Sequence, residues 1–350
     1  MATSFTSLPI VDLSPLTSAT DFSVPSPETS RLASQLHAVF ATSGFAYLTN
    51  LPLSFTHDDV FALSKQIFGL SVEEKMRLAK KTFNKENLNT YRGYCFPPAC
   101  YALMIPIRYF PIQPLKAMDN LKEGFEIGSG RSRSKSAPLL SKGDSVFNLH
   151  EPNVWPSPRS GFSAQTRRDI LKLYAELQAL SANLLSLIAI SLGKPADHFS
   201  SWLENSLSTL RLLHYPIVNT PAIYADEVDD VVSMSLTDPS IGEASMSDSE
   251  VSSHDSVFSI PKQPESGPTI RTACDDIVKL SCTPHTDSGI LTLLHQDSTG
   301  GLEVQNSAGQ WIAAPYIPGS VVVNIGDLMA KVSEVCSQDS QLPRSMSVMV

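Results

Sequence analysis

A histidine and an aspartate two residues apart, His285 and Asp287, have the types and spacing in this 350-residue chain that point most directly to metal chemistry. On an extended segment, residues i and i+2 project to the same side, so their imidazole nitrogen and carboxylate oxygen can reach one ion. With a histidine from a distant strand they would form the two-histidine, one-carboxylate face that binds Fe(II). Such a face leaves three coordination positions open for a 2-oxo acid and dioxygen, which is redox chemistry that side chains cannot supply.

The residues that surround this pair make the pattern far more specific than an isolated His-x-Asp, which occurs often by chance. His285 opens the run His-Thr-Asp-Ser-Gly-Ile-Leu-Thr-Leu-Leu, and three further motifs follow it at 300–304, 309–311 and 322–327. Together they resemble the core of the isopenicillin N synthase-like oxygenases. Segments 91–94, 122–126 and 210–216 resemble other motifs of the same family, and the match covers most of residues 8–328.

The resemblance implies an α+β fold with a mainly β core, a double-stranded β-helix or jelly roll flanked by helices. It places His285 and Asp287 at two of the family's iron ligands and Tyr215 where a tyrosine helps to hold 2-oxoglutarate. The implied cofactors are Fe(II), 2-oxoglutarate as co-substrate and dioxygen. The implied activity is that of a dioxygenase, an oxidoreductase that hydroxylates, desaturates or cyclises a small molecule such as a secondary metabolite. For Tyr215 the alternative is a core tyrosine whose hydroxyl has found a partner.

The carboxyl-terminal part departs from the family pattern. The family continues to a histidine followed by Arg-Val, the distal iron ligand, and then to an Arg-x-Ser that pairs with 2-oxoglutarate. Residues 328–350 contain no histidine, and Arg344 and Ser345 do not have the required spacing. The alternative interpretation is therefore a non-catalytic truncated isoform or pseudoenzyme that keeps a binding cleft. Zinc is disfavoured because no second pair accompanies Cys282 and His285, and a metal hydrolase because no activating base is recognisable.

The elements that must position these residues are indicated by the hydrophobic spacing. Apolar residues at intervals of three and four predict helices over 28–42, 57–68 and 164–192, and Ser71 with Glu74 has capping-box spacing. Short β-branched and apolar runs predict the strands, at 8–13, 44–48, 209–214, 280–282, 289–294, 302–305 and 320–325. Ser, Asp and Glu dominate 226–270, a composition that predicts a disordered insertion.

These elements predict two regions and a tail. Residues 1–130 form a helix-rich amino-terminal oxygenase region in which 99–118 is interpreted as an insertion. Residues 160–330 form the jelly-roll core that carries the 226–270 insertion, and 331–350 form an atypical tail in which 334–350 is polar and irregular.

Composition limits the partners. A net charge of −9 without a basic stripe argues against nucleic acid and anionic membrane surfaces, and favours a small-molecule ligand. Five scattered cysteines indicate reduced thiols inside a cell. We expect a cytoplasmic protein, because no leader-like start and no apolar run of ~20 residues is visible. The oligomeric state is not predictable from the sequence.

Overall fold

The computed structural model of the chain describes residues 5–17, 22, 24–95, 122–129, 151–204, 206–216, 282, 284–336 and 348–349. All of them belong to one compact unit formed by Met1–Pro216 and Lys279–Val350. The insertions predicted at 99–118 and 226–270 lie outside the described residues, as do most of the predicted strand at 280–282 and the boundary at 130. The division into two regions therefore stays a prediction.

The predicted helices are confirmed to within one residue at each end. The helices of the described residues are α1 (Pro27–Thr42), α2 (His57–Phe68), α3 (Val72–Arg77), α4 (Ala164–Ser191), α5 (Ser200–Glu204) and α6 (Asp327–Cys336). Side chains cap the amino ends of α1 to α4, where backbone N–H groups have no partner within the helix. Thr56 and Asp59 form a reciprocal capping box on α2.

The capping box predicted for α3 is only half formed. Ser71 accepts the backbone N–H of Glu74, as expected. The Glu74 carboxylate instead accepts from the backbone N–H of Ser157 and from Arg77. Residue spacing within one helix cannot predict this contact, because Ser157 lies in a distant part of the chain.

Three sheets contain the described strands. The first has the order β1 (Ile10–Asp12), β2 (Phe45–Thr49), β9 (Val321–Ile325) and β6 (Leu291–Leu294), with β1 and β2 parallel and the other pairs antiparallel. The second has the order β10 (Val348–Met349), β7 (Glu303–Gln305) and β8 (Trp311–Ala313). The third has the order β3 (Gly93–Cys95), β4 (Glu123–Ile127) and β5 (Leu210–His214). Strand β8 was not predicted.

Strand β2 shows how the layers are stacked, because alternate side chains leave a strand on opposite faces. Ala46 and Leu48 join the core cluster that contains α1 and α4. Phe45 and Tyr47 join a second cluster that contains Val304 and neighbouring residues of the second sheet. The first sheet thus lies between the helices and the second sheet.

Helix α4 is long and apolar enough to cross a membrane by length and composition alone. Its residues Leu180, Leu184 and Leu187 are fully buried in the cluster with α1 and the first sheet. Packing within the core therefore accounts for its apolar composition.

The expectation that 334–350 is irregular is wrong for its described residues, 334–336 and 348–349, which are helical and extended. Residues 331–336 continue α6, in which Met329 and Ala330 are buried and Val332 packs against the main core cluster. Val348 pairs with Val304 at the edge of the second sheet. The mostly polar composition of this segment gave no indication that a few apolar side chains of α6 pack against the core.

Candidate metal and co-substrate site

The structure brings His285 and Asp287 together on the extended segment that precedes β6. The Nε2 atom of His285 lies 3.6 Å from Oδ1 of Asp287. The histidine side chain is 45% exposed and the aspartate side chain 24% exposed. A nitrogen and a carboxylate oxygen therefore face one partly open space, as the i, i+2 spacing predicts.

Asp287 is held by its other oxygen. Thr292 Oγ1 donates a hydrogen bond of 2.6 Å to Oδ2, and Asn324 Nδ2 donates one of 2.9 Å to the same atom. Thr292 on β6 and Asn324 on β9 are direct partners in the antiparallel ladder. Both donors are neutral and hold Oδ2, so Oδ1 stays directed toward His285.

A backbone contact fixes the segment that carries Asp287. The N–H groups of Gly326, Asp327 and Leu328 donate to the carbonyls of Ile290, Asp287 and Gly289. A side chain at position 326 would place its Cβ 2.2 Å from the Gly289 carbonyl oxygen, so only glycine permits this approach.

The roles of Thr292, Asn324 and Gly326 were not assigned by sequence reasoning, although all three lie within motifs that carry the resemblance. The sequence did contain a signal for these roles: Thr292 and Asn324 are polar residues inside apolar strands, and Gly326 directly follows one of those strands. Asn324 is 3% exposed within the otherwise apolar β9. A buried amide of this kind requires a partner, and here the partner is Asp287.

Tyr215 follows directly after β5 and is partly buried. Burial raises the pKa of its hydroxyl well above the ordinary value, and the neighbouring Cys282 adds to that rise. Cys282 lies beside His285, with 3.9 Å between Sγ and Nδ1. Tyr215 thus lies near Cys282, which precedes the metal pair in the chain.

The other described histidines have different surroundings. His214 Nδ1 lies 2.7 Å from Glu123 Oε1, on the third sheet. The ring of His295 lies 5.8 Å from the ring of His57, and both nitrogens of His295 are buried. Among the described residues, no group of three His, Cys, Asp or Glu side chains could hold a metal. His150 and His254 lie outside those residues.

His285 and Asp287 fit two of the three protein positions of an Fe(II) face. Their Nε2 and Oδ1 atoms converge, one oxygen of the carboxylate remains available, and the donor types are those that non-haem iron uses. The described part of the chain supplies no third His, Cys, Asp or Glu ligand to this pair.

Two family models match the chain. Residues 254–336 match the 2OG-Fe(II) oxygenase superfamily. Residues 8–158 match the amino-terminal region described as non-haem dioxygenase in morphine synthesis. The two matches together span both ends of the described fold.

Individual relatives agree with these family matches. A 2-oxoglutarate-dependent dioxygenase of Didymella fabae is 29% identical over 314 residues, which are 88% of this chain and 72% of the relative. Clavatol oxidase of Penicillium crustosum is 26% identical, over 79% of this chain and 63% of its own length.

A solved structure confirms the fold. The crystal structure of a full-length Neurospora crassa protein in complex with alpha-KG and thymine superimposes with a TM-score of 0.62 at 23% identity. The superposition covers 98% of this chain and 79% of that protein. The expected jelly roll with helices outside is thereby confirmed.

Proposed function

The chain belongs to the 2OG-Fe(II) oxygenase superfamily, and from that premise we propose that His285 and Asp287 bind the iron of a dioxygenase acting on a small secondary metabolite. The observation that carries this proposal is the convergence of Nε2 and Oδ1 at 3.6 Å while Oδ2 is held from behind. A carboxylate held in this way presents one oxygen at a fixed position.

Fe(II), when bound with 2-oxoglutarate, supplies the activation of dioxygen that couples decarboxylation of 2-oxoglutarate to oxidation of the substrate. His285 contributes a neutral nitrogen and Asp287 a negative oxygen. Thr292 and Asn324 keep the carboxylate from rotating, which preserves the geometry that the ion requires.

Tyr215 is proposed to help hold 2-oxoglutarate. Its partly buried hydroxyl keeps its proton, because burial raises its pKa, so it can donate a hydrogen bond to a carboxylate of the co-substrate. Among the described residues, no third His, Cys, Asp or Glu side chain joins His285 and Asp287 as a ligand.

The substrate class rests on the relatives. The similarity to a clavatol oxidase supports a small organic substrate. The net charge of −9 without a basic stripe favours the same class over nucleic acids. Fold and metal site alone do not specify which compound is oxidised.

The test is an anaerobic titration of purified, metal-depleted protein with Fe(II) and 2-oxoglutarate, followed by the visible charge-transfer band of the chelate. We expect a stoichiometric band that is lost in His285→Ala, because one of the two described ligands is then missing. Release of succinate in air should be lost with it.

A matched control keeps this test specific. His198 is an exposed histidine on the connection between α4 and α5, so His198→Ala should leave the band unchanged. Folded wild-type protein that gives no band would contradict the proposal.

A further inference from the structure

Cys282 connects the metal segment to the third sheet. It is 4% exposed and lies three residues before His285. Its sulfur lies 3.9 Å from Nδ1 of His285 and 2.7 Å from Nζ of Lys122. Lys122 immediately precedes β4, so the thiol is fixed from an element 160 residues away along the chain.

The two ring nitrogens of His285 have distinct surroundings. Nε2 faces Asp287 Oδ1, whereas Nδ1 faces the sulfur of Cys282. A neutral imidazole has a hydrogen on one nitrogen and a lone pair on the other, and only the lone pair can bind a metal. The partner of Nδ1 therefore decides whether Nε2 is available.

We propose that Cys282 is a positioning residue for His285: its sulfur accepts the Nδ1 hydrogen and so presents the Nε2 lone pair beside Asp287. Histidine ligands commonly donate their second N–H to a carboxylate, a carbonyl or water. In this chain a buried sulfur fills that place, and Lys122 donates to the same atom and restrains it. The inference rests on the proposed function, since the orientation of the Nε2 lone pair has a role only if that atom binds a metal.

A thiol that merely fills space makes a different prediction. Alanine would then be tolerated at position 282 without any change in the histidine, and serine would have no advantage over alanine. If the sulfur acts as an acceptor, serine retains an acceptor atom on the same stem and alanine does not. The order of the two variants therefore separates positioning from packing.

The first experiment measures the tautomer of His285 in metal-free protein from its imidazole nitrogen-15 chemical shifts, with the signal assigned by its loss in His285→Gln. We expect the Nδ1–H tautomer in the wild type, a shift toward Nε2–H in Cys282→Ala, and a return toward the wild type in Cys282→Ser. Cys95→Ala is the matched control, because Cys95 is a free cysteine on β3. The same tautomer in wild type and Cys282→Ala would overturn the inference.

The second experiment titrates the same proteins with Co(II) and records its visible absorption. Loss of such a partner typically weakens metal affinity about 10- to 100-fold, so we expect that range for Cys282→Ala, a smaller loss for Cys282→Ser and none for Cys95→Ala. Lys122→Met leaves the thiol in place and should weaken Co(II) binding in the same direction. If Cys282→Ala does not fold, the Lys122→Met variant still tests the inference.

The two proposals fail in different ways. Unchanged Co(II) affinity and absorption in both Cys282→Ala and Lys122→Met would overturn the positioning role while leaving the metal site intact. A folded wild type that binds neither Fe(II) nor Co(II) would contradict the proposed function, and the tautomer measurement would still decide the role of Cys282.

Discussion

The carboxylates of β4 and the carboxylate of Asp287 are both enclosed by the fold, but their oxygens are satisfied differently. On β4, Glu123 accepts from Lys75, Tyr94 and His214 through both of its oxygens. Glu126 on the same strand also has a basic partner on each oxygen. Asp287 has one oxygen held by two neutral donors and the other 3.6 Å from a histidine nitrogen.

This difference separates a structural carboxylate from a ligand. A carboxylate whose two oxygens already have basic partners has no oxygen left for a metal, and removing a partner leaves a buried charge unpaired in an apolar environment. A carboxylate held on one side by uncharged groups keeps its negative charge and one oxygen for an incoming cation. We therefore expect substitutions on β4 to change stability and substitutions around Asp287 to change metal binding.

The largest expected effect on stability is that of Lys75→Met. The Lys75 and Glu123 side chains are each 9% exposed, with 3.0 Å between Nζ and Oε2. Removing one partner of a buried ion pair destabilises a protein by about 3 to 5 kcal/mol. Urea unfolding should show a loss of this size, with metal affinity of the folded fraction unchanged.

The control for this prediction is Lys172→Met. Lys172 pairs with Glu176 at 3.7 Å but is 58% exposed, and exposed pairs contribute roughly 0 to 1 kcal/mol. Equal losses of stability in the two variants would show that the buried pair of Lys75 and Glu123 contributes no more to stability than an exposed ion pair.

His295 extends the comparison to a histidine, because both of its ring nitrogens are buried and have no hydrogen-bond partner among the described residues. Burial, aided by the neighbouring His57, lowers the pKa of His295 from 6.5 to about 4. The unfolded chain therefore binds more protons between these values, so stability is full above about pH 6.5 and falls as the pH drops toward 4. The loss amounts to about 3 kcal/mol.

Unfolding free energies measured across pH 4 to 7 test this effect. In His295→Phe the part of the pH dependence that His295 supplies should disappear, whereas His198→Ala should retain it. An unchanged slope in His295→Phe would assign the acid sensitivity to other groups.

The smallest expected effect is that of Asn324→Ala, which removes one of the two donors to Asp287 Oδ2. Metal affinity should fall about tenfold, as is typical when a partner of a ligand is lost. Loss of the buried hydrogen bond should also lower stability by about 1 to 3 kcal/mol. Calorimetric titration with Co(II) and urea unfolding measure the two quantities.

Asn306→Ala provides the matched control. Asn306 is also a buried asparagine, and it directly follows β7, where it bonds to the Phe5 carbonyl and to Gln310 and not to Asp287. It should lose similar stability without any change in metal affinity. A tenfold loss of affinity in this variant would mean that general loosening, and not the contact with Asp287, governs metal binding.

The sequence predicts the local elements and the metal pair well, because both depend on short spacing. Helices α1, α2 and α4 begin and end within one residue of the positions expected from apolar periodicity. His285 and Asp287 converge because they are two residues apart on an extended segment. Such features need no knowledge of which strands are neighbours.

The supporting contacts could not be predicted, because they depend on pairing between distant segments. Thr292 and Asn324 meet only through the β6 and β9 ladder, and Lys122 reaches Cys282 across 160 positions. Strand β8 was missed because its three residues follow a Gly-Gln motif that is typical of a turn. The helical start of the tail was missed because α6 ends at Cys336, soon after the tail begins.

The most direct test of the central claim compares two isosteric substitutions, Asp287→Asn and Glu123→Gln, each of which replaces a carboxylate by an amide. Both variants would be titrated anaerobically with Fe(II) and 2-oxoglutarate and unfolded in urea. We predict that Asp287→Asn loses the charge-transfer band and keeps nearly all its stability, while Glu123→Gln loses stability and keeps the band. A band that persists in Asp287→Asn would contradict the assignment of Asp287 as an iron ligand.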